Sequence, residues 1–144
     1  MRTVSLSLLC LSALLSSGAS VAHDTARHDA GHDNTPLPIV TPVMTRTLPD
    51  YPGKEAQMIT VEYPPGAADP VHRHNANGFI YVLDGSIVMG VKGGEEVTLT
   101  AGQSFYEGPD DIHTVGRNAS MDKPARFLVL LLKDAGKPAV IPVP

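Results

Sequence analysis

A chain of 144 residues in which 42% of side chains are apolar can bury one hydrophobic core without disulfides or a structural metal, so a single globular domain is expected. Its 11 basic side chains against 15 acidic ones leave a formal charge of −4. With no lysine or arginine block and few aromatics, the composition argues against nucleic acid or an anionic membrane surface as a partner.

The opening residues read as an export signal. Arg2 supplies a short positive start, residues 4–15 form an apolar run diluted by serines, and Ser20 and Ala22 are the small residues that precede a cut after Ala22. An apolar run of about a dozen residues is too short to span a bilayer. Leu9 stands where a lipoprotein signal needs a small residue, which argues against a lipid anchor. Signal peptide 1–22 implies a periplasmic or secreted protein, and removing it takes away Cys10, the only cysteine. Thiolate catalysis, cysteine-based zinc sites and disulfides are then excluded.

Residues 23–49 begin with "HDTARHDAGHDNTPLP", polar and proline-terminated, and are expected to form a flexible lead-in. Their His-Asp pairs at His23, His28 and His32 suit either a loose chelator or a solvated tail. Residues 50–144 are expected to form the folded domain. From residue 56 short β-rich runs alternate with turn chemistry: "AQMITVEY", "GFIYVL", "SIVMGV", "EEVTLT", "QSFYE" and "ARFLVLLL". Asp84-Gly85 predicts one tight hairpin and residues 92–96 a second. No long amphipathic helix is legible, so the fold class is all-β, a sandwich or barrel.

His72 and His74 stand two apart, a spacing that sends both imidazoles to one face of a strand while Arg73 turns away. The stiff "YPPGAADPV" run precedes them, and His113 in "GPDDIHTVGRN" is the remaining histidine of the domain. Over roughly residues 50–135 the chain resembles the cupin family. Gly66, His72, His74 and Gly85 match its first motif, and Gly102 and His113 match its second. Pro109 and Asn118 each lie one position late, and Gly108 and Asp110 replace the second motif's expected Pro and Gly. The resemblance implies a small single-domain cupin barrel, also described as a double-stranded β-helix or jelly roll. In it His72, His74 and His113 would converge on one divalent metal ion, and a homodimer is expected.

One departure bears on chemistry: Gly78 occupies the position of the motif's glutamate. A facial set of two histidines and a carboxylate suits non-haem iron, whereas three neutral imidazoles leave the ion's charge uncompensated and favour an anionic or chelating oxygen ligand. Glu107 shares a strand face with Phe105. If that face is inward, Glu107 is a metal ligand or a general base; if outward, an ordinary solvated acid. Gln57 and Tyr81 are further candidates to stand near the ligands, Tyr81 alternatively packing in the core. Asp110 and Asp111 are expected to set the turn before His113. Two functions stay open: a mononuclear metal dioxygenase using Fe, Mn or Ni on a small oxygen-chelating substrate, or a non-catalytic module that binds metal or a small ligand. Zinc fits three histidines equally well without redox chemistry, and a barrel with no metal is a third reading. The apolar run at residues 125–132 suits a core strand or a dimer contact.

Overall fold

Period-two alternation of buried and exposed side chains is most regular over residues 76–83 and 125–134, and the computed structural model describes residues 34–143. Ten strands form among these residues: β1 (Ile39–Thr47), β2 (Lys54–Tyr63), β3 (His72–Arg73), β4 (Ala76–Asp84), β5 (Ser86–Val91), β6 (Val97–Thr100), β7 (Ser104–Glu107), β8 (Ile112–Asn118), β9 (Ala125–Asp134) and β10 (Ile141–Pro142). No helix occurs among them. The strands form two five-stranded antiparallel sheets, ordered β1-β2-β9-β4-β7 and β10-β3-β8-β5-β6, the all-β double-stranded β-helix expected. The expected signal peptide 1–22 and the three His-Asp pairs lie outside the described residues.

The core lies where the inward faces meet. On β4, Ala76, Gly78, Ile80 and Val82 are buried while Asn77, Phe79, Tyr81 and Leu83 are exposed. On β9, Phe127, Val129 and Leu131 point inward and pack with Tyr63, Val82, Ile87 and Met89. Full burial of such a side chain is worth roughly 1.5–3 kcal/mol. Tyr63 and Phe127 meet edge to face, with ring centroids 4.9 Å apart, a favoured aromatic geometry. Residues 125–132 are thus a central strand, flanked by β2 and β4, with Leu128, Leu130 and Leu132 half-buried on the outer face.

Two expectations are corrected. The lead-in expected to be flexible as far as residue 49 contains β1, because the backbone groups of β2 supply a ladder that orders it. Every β1 side chain is exposed, so no apolar face signals this strand. Its Pro42, unable to donate to a ladder, sits on an edge strand beside a register shift. The second correction concerns Asp84-Gly85, where no hairpin forms. Both edges of β4 are taken by β9 and β7, and the chain crosses at Gly85 into the other sheet. Gly85 adopts φ 73°, and a Cβ there would lie 2.7 Å from the Pro124 carbonyl oxygen. The hairpin at residues 92–96 does form and pairs β5 with β6.

Asn118, at the end of β8 away from His113, ties together the loops that follow β2 and precede β9. Its buried Nδ2 donates to the carbonyls of Tyr63, Pro64 and Lys123 at 2.8–3.0 Å, and its Oδ1 accepts from the Ser120 amide. These bonds hold the end of β2 and the loop that follows it. At the other end of the domain, β10 pairs with β3 and brings the C-terminal segment alongside the histidines.

Candidate metal centre

Strand register brings the site together from both sheets. In one sheet His72 on β3 lies directly opposite His113 on β8; in the other, Gly78 on β4 lies directly opposite Glu107 on β7. His74 follows β3 by one residue and turns its ring back to the same point, while Arg73 points away and donates to Asn75 Oδ1. His72 Nε2 stands 3.2 Å from His74 Nε2 and 3.4 Å from His113 Nδ1. The Glu107 carboxylate places one oxygen 3.5 Å from His74 Nε2 and the other 3.5 Å from His113 Nδ1. Glu107 therefore faces inward, buried to 3% exposure, and the inward alternative is the one realised.

The tautomers follow from the outer hydrogen bonds. Nδ1–H of His72 donates to the Pro70 carbonyl at 2.8 Å and Nδ1–H of His74 donates to the Ala139 carbonyl at 2.6 Å. Both Nε2 atoms are left as lone pairs aimed at each other and at a carboxylate. Burial, with His72 and His74 nearby, lowers the His113 pKa to about 4; burial also lowers that of His74. These two rings are neutral acceptors at neutral pH. Burial raises Glu107 to about 7, with Asp69 and Asp111 adding repulsion.

Imidazole nitrogens and a carboxylate crowded together in a buried site are satisfied by a cation. A first-row divalent ion bound at about 2.0–2.2 Å separates neighbouring donors by roughly 3.0–3.4 Å, which matches the two spacings from His72. The three histidines each offer a ligand atom, all within 4.8 Å of one another. His113 Nε2 is buried without a hydrogen-bond partner. The residues present fit a divalent metal ion held by His72, His74 and His113, with Glu107 beside them.

Two neighbours escaped the sequence reading. Asp69 lines the same cavity and accepts a hydrogen bond from the buried Tyr63 hydroxyl. Burial raises the Asp69 pKa, against the opposing effects of Tyr63 and His72, and burial together with Asp69 raises that of Tyr63. Gly116 makes room for this group, since a Cβ there would come 2.7 Å from Asp69 Oδ2, 2.9 Å from His113 Cε1 and 2.9 Å from Tyr63 Oη. Asp69 sits in an aperiodic loop and offers no pattern; its nearness to His72 in sequence was the available hint.

Of the remaining candidates, Tyr81 is corrected. It is 47% exposed on the outer face of β4, because alternation with the buried Ile80 and Val82 turns it away from both core and histidines. Gln57 lies on the inward series of β2 and is half-buried, but it does not line the cavity. Asp111 sets the turn before His113, its Oδ2 accepting from the Gly108 amide at 2.7 Å, while Asp110 is exposed.

The Cupin domain family profile matches residues 59–131, just over half of the chain. No curated protein matches it. Among solved structures, an uncharacterised Klebsiella pneumoniae protein with a double-stranded β-helix domain is 18% identical over 74% of this chain and 86% of its own, with a TM-score of 0.58. An oxalate oxidase in complex with the substrate analogue glycolate is 20% identical over 74% of this chain and 61% of its own, with a TM-score of 0.56. The DMSP lyase DddQ from Ruegeria pomeroyi is 23% identical over 61% of this chain, with a TM-score of 0.54, and this chain spans 43% of its length. At these identities the structural likeness speaks for the fold, and the profile match speaks for descent: the chain belongs to the Cupin domain family.

Proposed function

We propose that the protein is an exported mononuclear metal enzyme that holds one divalent ion through His72, His74 and His113, with Glu107 beside them, and acts on a small oxygen-donor substrate, as a dioxygenase or related oxidoreductase. The observation that carries this reading is the convergence of imidazole lone pairs and a buried carboxylate at the spacing an ion requires. When bound, the ion supplies a Lewis-acidic centre and a template for an oxygen ligand. The chain's own groups do the rest. The Pro70 and Ala139 carbonyls fix which nitrogen His72 and His74 present. Glu107 is either the fourth ligand or the base that takes a substrate proton, and burial tunes it toward that second task. Phe127, Val129 and Ile80 keep bulk water from the reacting face.

The relatives lend limited support: an oxalate oxidase and DMSP lyases share the fold, so the barrel serves more than one reaction class. Export to the periplasm or beyond is supported by the signal-like residues 1–22 and a remainder without cysteine. A homodimer is supported by the apolar outer face of the β4-containing sheet, where Phe79, Tyr81 and Tyr106 are about half exposed.

Elemental analysis of protein purified from its own host should find one first-row ion per chain, lost in His74→Ala. Oxygen uptake by the iron-loaded protein should then appear with at least one of a set of short hydroxy and keto acids, diketones and catechols. Unchanged metal content in His74→Ala would remove the centre. Metal binding and tight ligand binding without turnover of any compound would instead support a non-catalytic module.

A further inference from the structure

We infer that the ligand of this centre is a short monocarboxylate of about three or four carbons, bound by its single carboxylate with its alkyl chain against the barrel wall, and that succinate, the dicarboxylate as long as butyrate, is rejected. This narrows the metal-centre reading above and rests on it.

Size is the first observation. The cavity over the histidines measures about 70 Å³. In this measure a water-sized group needs roughly 10–15 Å³, so about five to seven such groups fit, one of them the ion. Propionate and butyrate, with five and six non-hydrogen atoms, are of that size; a flavonol is far larger.

Polarity is the second. The polar end consists of the three histidines, Glu107 and Asp69, with the Tyr63 hydroxyl turned to Asp69. The walls are apolar: Ile59, Val61, Ile80, Met89, Phe127 and Val129. Among the described residues no lysine or arginine lines the cavity. Lys133 is engaged with Glu55 and the Lys137 carbonyl, Arg73 with Asn75, and Arg117 with Glu96. A second ligand carboxylate too far from the first to share the ion would lie against valine and phenylalanine without a donor, or turn back toward two acids. One carboxylate on the ion meets neither obstacle. At the rim, Val40 is 56% exposed and Val140 is 49% exposed, so a chain longer than the cavity emerges between them into water.

The test is a titration of the full chain loaded with Co(II), followed by the visible absorption of the ion at ligand concentrations that leave cobalt content unchanged. Affinity should rise about three- to fourfold per methylene from acetate to butyrate and then level off, as each further methylene reaches solvent. Succinate should bind at least tenfold more weakly than butyrate. Val129→Ala, which enlarges the wall side of the cavity, should carry the rise one carbon further. Succinate binding as tightly as butyrate, or affinity independent of chain length in the wild-type protein, would overturn the inference while the metal centre stood. Failure to take up cobalt would overturn both.

Discussion

Glu107 and His113 carry opposite pH dependences. Glu107, raised to about 7 from an ordinary 4.5, contributes stability that is complete below its unfolded value and lost as pH rises toward 7. His113, lowered to about 4 from 6.5, contributes stability that is complete above its unfolded value and lost as pH falls toward 4. Asp69, raised mainly by burial, and His74, lowered mainly by burial, add one further contribution of each sign. Between about pH 4.5 and 6.5 the contributions oppose, so thermal melts of the metal-free protein should vary little with pH. Glu107→Gln removes one side of that balance, and the variant should melt higher as pH rises through the same window. Metal binding tells the same story from outside: affinity should increase about tenfold per pH unit up to about 7 in the wild type, as the Glu107 proton is displaced, and that slope should disappear in Glu107→Gln. Gly116→Ala tests the packing beneath the histidines. Its Cβ would meet Asp69, His113 and Tyr63 at 2.9 Å or less, so a loss of about 1–3 kcal/mol is expected in denaturant unfolding, with weaker metal retention. The histidines were legible because their spacing is a strand spacing. Glu107 was half legible, since alternation tied it to Phe105 but could not say which way the face turned.

At the level of strands, the absent glutamate of β4 has a counterpart on its neighbour. A Cβ built on Gly78 would stand 3.6 Å from Glu107 Cβ and 3.5 Å from the nearest Leu131 atom, ordinary contact distances, so the two positions address the same space from adjacent strands. Register therefore allows the carboxylate to sit on either strand, and Gly78 leaves room for the one on β7. Glu107→Ala should lose roughly 10–100-fold in metal affinity, on the scale seen when groups supporting a metal site are removed. Adding Gly78→Glu to that variant should recover most of the loss, read by competition with a coloured chelator; no recovery in a folded double variant would show that the two positions are not equivalent. A motif scan sees only a missing ligand at position 78, because pairing between β4 and β7 is a long-range property. The same limit hid the crossing at Gly85. An Asp-Gly pair favours a tight turn locally, but which strands flank β4 decides whether the chain folds back or leaves the sheet.

For the whole molecule, the question is what covers the outer face of the β4-containing sheet. The continuous apolar run of β9 has two explanations at once: Phe127, Val129 and Leu131 fill the core, while Leu128 and Leu130 stand opposite Tyr81 and Phe79 on the outside. Sequence could not divide these roles, because a strand apolar on both faces has no alternation to read. Phe79 also packs on Tyr106, with ring centroids 5.4 Å apart, so the exposed aromatics form one patch rather than scattered side chains. Contiguous apolar surface of this kind is costly to leave in water and marks a contact. In the proposed homodimer a second copy of the chain would cover this patch by two-fold symmetry. Phe79→Glu probes this directly. At 45% exposure the substitution should change monomer stability by no more than about 0.5 kcal/mol, yet two buried glutamates facing each other across a two-fold axis would split a dimer. Sedimentation equilibrium should give a dimer mass for the wild type and a monomer mass for the variant, with unchanged metal content in both. A wild-type monomer at every concentration tested would leave the patch to a different partner.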